Sequence, residues 1–522
     1  MWPLACLKGS KKVERQEKGE SLFKEAQKNL GKNHKKLQQM LLESTSLFKY
    51  LKDLATITPT NPSADSLNVK PWRGSVDLNE FMAPVQAALS ISPMSNSSSP
   101  KDFFPRIVPR MRAFSSRVTV MASKAKPKKI KAFAVPGSFQ HTKRTRDPQK
   151  VSSSNPLLCD VGEIHFLIKK EAKGDLRKDA RVQDFNNVIN RLMASSSDGS
   201  KSARRRRLHL RTFAVTCLSE DTGILEWVPE TDSLRSLVQQ SYNPQTSPFC
   251  RFRRGVRLAN FGDAALRSNY DRCQATYFKD GNLLRATQLF QELCLKQYPP
   301  LLYWWFMQKF HDPNSWYEAR NRFTLSAAAW SAVGHVIGLG DRHSENILVD
   351  TTTGECVHVD FDCIFDKGLN LPKPEVIPFR LTANMVDAFG PTGAEGIYST
   401  GLQIAMRTLR DNRDLLLSVL EPFLKDPVID WKRYRSQQKG NSSTDQAKRS
   451  IKVIDERLRG IYNLRNPNLK KYRRTDGLSN DQDDELTHLV PLSVEGQVNK
   501  MITEATAPEN LVQIYVGWMP WV

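Results

Sequence analysis

The 522-residue sequence predicts an α+β protein in which a sheet-rich segment precedes a mostly helical one. Short β-branched and aromatic runs, bounded by turn residues, cluster between about 110 and 228. From Asp232 onward apolar residues recur at spacings of three and four, notably over 283–295 and 317–337. Inside that helical half sits a small β-island, 347–349 and 356–359, paired across a turn at Thr353 and Gly354.

Taken in order, residues 21–54 read as one amphipathic helix, with Leu22, Phe23, Ala26, Leu30, Leu37, Met40, Leu41, Leu47, Phe48 and Leu51 in its stripe. A single helix cannot bury that stripe alone. Its partner lies either later in this chain or in a truncated helical array, and the family resemblance given below favours the array. Residues 56–109 are irregular, with Pro59, Pro62, Pro71 and a Ser/Pro run over 91–100, so a domain boundary is expected near Pro105. Strands are expected over 117–122 and 130–135, joined by the basic turn 123–129. A polar stretch without periodicity, 136–160, reads as a disordered insertion before a strand over 164–170. Asp175-Leu176-Arg177-Lys178-Asp179 opens a helix with Val182, Phe185, Val188, Ile189 and Leu192 on one face, and strands follow over 208–215 and 223–228.

The chain carries 77 Lys+Arg against 55 Asp+Glu, a net charge of +22 that favours acidic partners such as nucleotide phosphates, nucleic acid or a membrane surface. The excess is clustered over 24–52, 124–131, 204–207 and 470–474, and such runs are more often solvated faces than sites. No apolar run approaches a membrane span, and the apolar residues 1–7 precede rather than follow basic ones, the wrong order for a signal peptide. A soluble protein is expected. The 8 cysteines are scattered without a C-x-x-C pair, and Cys356 and Cys363 lack histidines at zinc spacing, which fits reduced thiols of the nucleus or cytosol.

The chemistry concentrates in Gly338-Leu339-Gly340-Asp341-Arg342-His343-Ser344-Glu345-Asn346, followed by Val357-His358-Val359-Asp360-Phe361-Asp362. An aspartate and an asparagine five residues apart on a loop, with a second aspartate closing the next hairpin, read as a phosphoryl-transfer centre. Transfer of a γ-phosphoryl group needs a divalent metal on oxygen ligands and a carboxylate at the attacking hydroxyl. Asn346 and Asp360 can supply the ligands and Asp341 the carboxylate. A merely polar turn leaves so many polar groups between apolar runs unexplained.

These residues resemble the phosphatidylinositol 3-kinase-related protein kinases. Gly-Asp-Arg-His-x-x-Asn followed by Val-Asp-Phe inverts the H-R-D order of ordinary protein kinases but keeps the Asp–Asn step. Asp175 to Asp179, Glu226-Trp227-Val228 and Val376-Ile377-Pro378-Phe379-Arg380-Leu381-Thr382 match as well. Residues 492–522, ending Tyr515-Val516-Gly517-Trp518-Met519-Pro520-Trp521-Val522, look like the FATC tail of that family. Residues 123–129, Asp312-Pro313-Asn314-Ser315-Trp316-Tyr317 and 353–361 resemble the ATR checkpoint-kinase branch.

The resemblance implies a bilobal PI3/PI4-kinase-like catalytic domain with an antiparallel N-lobe and a helical C-lobe. It divides the chain into the end of a helical FAT region with a linker (1–105), N-lobe (106–228), C-lobe (229–432), a regulatory and partly disordered segment (433–488) and the FATC tail (489–522). It implies ATP with Mg2+, or Mn2+ in its place. Asp341 is assigned to the substrate hydroxyl, His343 to the γ-phosphate, and Asn346 and Asp360 to the metal. Arg342 is expected to pair with a carboxylate, and Ser344 stands where the ATR branch usually has glycine. Between the lobes, ATP is expected to meet Ser123 of the 118–124 turn, a lysine at the end of the 164–170 strand, and Glu226, Trp227 and Val228 at the adenine. Strand alternation lets only one of Lys169 and Lys170 face the nucleotide; Lys170 is preferred, with Asp179 as its partner.

The segment 360–382 has only dispersed basic residues, Lys367, Lys373 and Arg380, so a protein hydroxyl is favoured over an inositol lipid. The resemblance implies Ser/Thr-Gln sites, a nuclear role in DNA-damage checkpoint signalling, an ATR-interacting partner subunit and DNA-damage complexes, without base-specific DNA contact. The alternatives are a phosphoinositide kinase and a catalytically compromised scaffold fragment. The apolar residues of the tail, Val498, Met501, Ile502, Ala505, Leu511, Ile514 and Tyr515, are expected to pack on the catalytic lobe rather than on a membrane.

Overall fold

The computed structural model describes residues 35–57 (with 21, 24, 25 and 28), 65–72, 83–86, 107–121, 126–138, 162–171, 175–194, 208–219, 221–242, 263–425, 443–462 and 490–522. The chain forms two compact units, one of Met1–Asp184 with Thr212–Pro229, the other of Phe185–Arg211 with Glu230–Val522. Residues from both sides of Pro105 share the first unit's core.

That unit is a six-stranded sheet in the order β1-β2-β3-β4-β6-β5. The strands are β1 (Ser66–Asn68), β2 (Ile107–Val120), β3 (Lys128–Ser138), β4 (Gly162–Lys170), β5 (Val215–Cys217) and β6 (Thr222–Glu226), with antiparallel neighbours throughout. Helix α1 (Lys35–Thr56) lays Leu47, Phe48, Leu51 and Leu54 against Met111, Val118, Ile130, Phe166, Ile168 and Ile224 in a single buried cluster. The helix therefore finds its partner later in the same chain, the less favoured of the two expectations. Lys128, also buried, donates its ammonium to the Ala55 carbonyl at 2.7 Å, near the end of α1 where helical carbonyls lack intrahelical donors.

Both strands of the first hairpin run longer than their β-branched cores. Pro136, Gly137 and Ser138 pair with Pro109, Val108 and Ile107, so the expected insertion starts inside a strand; 139–161 lie outside the described residues. The expected strand over 208–215 shrinks to Val215–Cys217. Asn190 of helix α2 (Arg177–Ala194) explains this, because its side chain donates to the Leu210 carbonyl at 2.7 Å and accepts the Leu210 N–H at 2.9 Å. A side chain thus takes the backbone groups that a ladder would use. The alternation of Leu208 and Leu210 reflects burial without pairing.

The second unit is built on α7 (Pro313–Ile337), preceded by α3 (Leu234–Tyr242), α4 (Asp263–Phe278), α5 (Leu283–Phe290) and α6 (Leu302–Lys309). Asp312 caps α7 by accepting the Ser315 N–H at 2.9 Å, with Pro313 in the first turn. From Ser326 to Ile337 every residue of α7 is buried, so its alanines and glycine serve close packing on all sides. A three-stranded sheet follows, β7 (Thr231–Ser233), β8 (Ile347–Asp350) and β9 (Cys356–His358), in the order β7-β8-β9. The hairpin was legible in the sequence; the short polar strand β7 was not. Helices α8 (Ala383–Ala388), α9 (Ile397–Asp411), α10 (Arg413–Lys425), α11 (Ser443–Leu458), α12 (Val494–Thr506) and α13 (Pro508–Leu511) complete the unit. Val498, Met501, Ala505, Leu511 and Ile514 of the tail are buried within it, whereas Tyr515 is exposed. Among the described residues no helix is long and apolar enough to cross a membrane.

Candidate active site

Helix α7 stops at Gly338, whose φ of 60° is left-handed and whose missing Cβ leaves room for Asp366; the Asp366 amide would sit 2.6 Å from that Cβ. The chain then enters the loop that carries Asp341, His343 and Asn346, while β9 delivers Asp360 beside it. Seven non-glycine residues have positive φ among those described, and four of them (Asp341, Asp360, Phe365 and Asp366) lie in this region. Sterically costly backbone is concentrated where the motif is, as expected where geometry is held for chemistry.

Each functional side chain has an identifiable support. The Asn346 amide nitrogen donates to the Asp341 carbonyl at 2.9 Å, and the Asn346 N–H to the His343 carbonyl at 3.0 Å, which closes the loop on itself. Glu345 donates its N–H to His343 Nδ1 at 3.2 Å, so the neutral ring carries its proton on Nε2. Burial lowers the His343 pKa, with the Asp341 charge opposing, and the imidazole is neutral at physiological pH. Arg342 is buried and donates to the carbonyls of Gly340 (2.9 Å), Val359 (2.8 Å) and Asp360. It ties the loop to the Asp360 turn through backbone oxygens, and not through the carboxylate pairing expected of it. Ser344 is fully buried, with its hydroxyl 3.5 Å from Met519 Sδ.

Among the described residues no group of three or more His, Cys, Asp or Glu could hold a metal ion. Mg2+ does not require one: it is commonly held by one or two protein oxygens together with substrate phosphates and water. The donor set here is of that kind. Asp360 is exposed on a left-handed turn, and Asn346 commits its nitrogen to Asp341, which fixes the amide with Oδ1 as its remaining donor atom.

The nucleotide candidates lie in the first unit, apart from Ser123, which is outside the described residues. Strand β4 turns the two lysines to opposite faces. Lys170 alternates with Phe166 and Ile168, which fill the core under α1, and its ammonium is exposed 4.0 Å from Asp221, not against Asp179. Lys169 stands on the opposite face with His165 and Leu167, half-buried and paired with Glu171. Asp179 is buried in the first turn of α2. Glu226 turns its carboxylate to the N–H groups of Gln86 (2.7 Å) and Ala214 (2.9 Å), a structural engagement. Trp227 follows it just past the end of β6, its N–H on the His165 carbonyl at 2.9 Å and its ring 3.8 Å from the Lys129 ammonium; Val228 is buried.

Two further residues connect to the loop. Glu375 accepts the Asp341 N–H on both oxygens, at 3.1 and 2.8 Å. Arg380, matched within the 376–382 motif and counted among the dispersed basic residues, is buried and donates to the carbonyls of Arg342 (3.1 Å), Trp518 (2.7 Å), Met519 (2.7 Å) and Val522 (2.8 Å), with its guanidinium 4.0 Å over the Trp518 ring. Burial pushes its pKa down to about 9, so it stays charged at pH 7. Tyr270 and Gln274 of α4 hold the same tail, the Tyr270 hydroxyl on the carbonyls of Leu511 (2.8 Å) and Ile514 (2.6 Å) and the Gln274 amide on that of Ile514 (2.5 Å). The signal for Glu375 and Arg380 was one acid and one base in the otherwise apolar stretch 374–381.

The chain is similar to several known proteins. The serine/threonine-protein kinase ATR of Oryza sativa subsp. japonica is 32% identical over 532 residues, covering 100% of this chain and 17% of that protein. The ATR kinase of Arabidopsis thaliana is 35% identical over 449 residues (85% and 14%), and protein kinase rad3 of Schizosaccharomyces pombe 35% over 441 residues (84% and 15%). The chain thus spans less than a fifth of the length of the curated relatives it matches. Of solved structures, the complete CtTel1 dimer with C2 symmetry gives a TM-score of 0.69 at 22% identity, over 100% of this chain and 17% of that one. The FAT and kinase domain of CtTel1 gives 0.68 at 22%, over 100% and 31%, a likeness of fold. The profile of the FATC domain matches residues 491–522 and that of phosphatidylinositol 3- and 4-kinase matches residues 165–433, more than half of the sequence, so the chain belongs to the phosphatidylinositol 3- and 4-kinase family.

Proposed function

We propose that the chain is the catalytic portion of an ATP-dependent serine/threonine protein kinase of the ATR type, acting on Ser/Thr-Gln sites in nuclear DNA-damage signalling. The observation that carries this reading is the single loop that holds Asp341, His343 and Asn346 against the Asp360 turn. Asp341 accepts the proton of the substrate hydroxyl, and the exposed carboxylate is free of ion pairing with the buried Arg342, which is spent on carbonyls. His343, with its proton on Nε2, donates to the γ-phosphate as charge shifts during transfer. Asn346 and Asp360 would hold Mg2+, or Mn2+, which when bound neutralises the phosphate oxygens. Lys169, in preference to Lys170, is assigned to the nucleotide phosphates, with Asp179 its orienting acid and Glu226, Trp227, Val228 and Ser123 contributing to the nucleotide.

A peptide substrate is favoured over an inositol lipid by the state of the three basic residues after β9. Lys367 pairs with Asp362 (2.6 Å), Lys373 is bonded to the Gln274 amide oxygen, and Arg380 is buried on carbonyls. None is arrayed for a phosphorylated headgroup. The names of the ATR and rad3 relatives support a protein kinase; a partner subunit and DNA-damage complexes are part of the proposal by that analogy. The test is phosphate transfer from ATP to a Ser-Gln peptide and to its Ser-Ala counterpart by wild type, Asp341→Ala and Asp360→Ala. Each variant is expected to lose about a hundredfold or more. Equal activity in all three would sink the kinase reading, equal use of both peptides the Gln preference, and transfer to phosphoinositide alone the choice of substrate.

A further inference from the structure

Glu375 is the one acid in a run of prolines and apolar residues, Leu371, Pro372, Pro374, Val376, Ile377 and Pro378. Its side chain is 9% exposed, and among the described residues it forms no ion pair. Its carboxylate oxygens share a single donor, the Asp341 N–H, while its own N–H goes to the Gly368 carbonyl at 3.1 Å. Two glycines make room for it: a Cβ on Gly340 or on Gly368 would lie 2.9 Å from Glu375 Oε2. A desolvated carboxylate with one backbone amide for company is a poor way to stabilise a fold, and an apolar residue of similar volume would cost less. Burial, joined by the Asp341 charge, pushes its pKa up to about 7, against the Asp341 N–H and the charges of Arg342 and Arg380. His335, Asp366 and Arg457 line the same small cavity. What this arrangement does hold is the backbone of Asp341, at φ 56°.

We propose that Glu375 is a positioning residue for phosphoryl transfer: by accepting the Asp341 N–H it keeps the Asp341 carboxylate oriented on the transferring hydroxyl, and it makes that orientation depend on where the segment 366–378 lies. The proposal rests on the role given to Asp341 above. Withdrawal of Glu375 lets Asp341 relax from its left-handed conformation, which slows transfer and leaves nucleotide affinity alone.

The experiment measures kcat, KM for ATP and melting temperature of the whole chain with a Ser-Gln peptide, for Glu375→Gln, Glu375→Asp, Glu375→Leu and Asp341→Ala. Glu375→Leu removes the acceptor and is expected to lower kcat by about a hundredfold, with KM for ATP within about twofold and no loss of melting temperature. Glu375→Gln keeps an acceptor oxygen in place and should return kcat to within about threefold of wild type. Glu375→Asp keeps the charge but falls short by a methylene, and it should behave as Glu375→Leu does; this keeps the test available if the leucine variant does not fold. Wild-type kcat in Glu375→Asp or Glu375→Leu, equal impairment of the Gln and Leu variants, or a loss shared by KM and melting temperature would each overturn the proposal. Full activity in Asp341→Ala would instead remove the reading beneath it, whatever the Glu375 variants do.

Discussion

Replacing Arg380 by methionine should detach the C-terminal tail from the catalytic loop. The guanidinium serves four carbonyls at once, those of Arg342, Trp518, Met519 and Val522, all at 3.1 Å or less, and it stacks on the Trp518 ring. Methionine fills much of the volume and donates nothing. The Met519 carbonyl keeps the Val522 N–H, so three carbonyls are left without a donor; at about 1 kcal/mol each the loss is about 3 kcal/mol, within the range for removing one member of a buried charged network. Arg380→Lys should recover only part of it, because one ammonium cannot reach four carbonyls that a planar fork spans. The assay is denaturant unfolding of the chain together with hydrogen exchange at Trp518, Met519 and Val522, whose N–H groups close the terminal turns. A loss below about 1 kcal/mol, or unchanged exchange at those amides, would refute the view that Arg380 anchors the tail.

The Glu375 carboxyl also makes a prediction about pH. Its pKa in the folded chain is about 7 against 4.5 for the free side chain, so its contribution to stability is fully present below about 4.5 and is lost as pH rises through 7. The difference corresponds to about 3 kcal/mol, and Glu375→Gln, which does not titrate, should gain about that much relative to wild type between pH 5 and 8 in urea unfolding; a constant offset across that range contradicts the burial argument. Gly338→Ala places a Cβ at φ 60° against the Asp366 amide and carboxyl, and should cost about 2 kcal/mol or more by thermal unfolding, whereas Gly496→Ala, whose nearest neighbour would be 3.3 Å away within a helix, should cost far less.

The proposed centre was legible because the phosphoryl transfer assigned to it demands particular residue types at short spacing. Asp341, His343 and Asn346 sit within six residues, and the hairpin that brings Asp360 beside them is itself local, so neither the motif nor its neighbourhood needed the fold to be known. The same holds for α7, whose capping Asp312, Pro313 and terminal Gly338 mark its two ends. Strand 208–215 misled because alternation records burial; only the contact from Asn190, twenty residues away in sequence, reveals that the ladder is not formed.

What local pattern determined by itself was therefore the α+β order of elements, the close spacing of the candidate site residues and the apolar stripes of α1 and the tail. Tertiary structure alone decided where those stripes are buried, which of Lys169 and Lys170 leaves the core face of β4, and what holds the motif in shape. Glu375 lies 34 residues from Asp341, and Arg380 lies 142 from Val522. Local periodicity reports how a segment meets its own neighbours. A carboxylate that aims a distant backbone amide, or a guanidinium that gathers four distant carbonyls, acts across the chain, and its partners share no spacing from which they could be read.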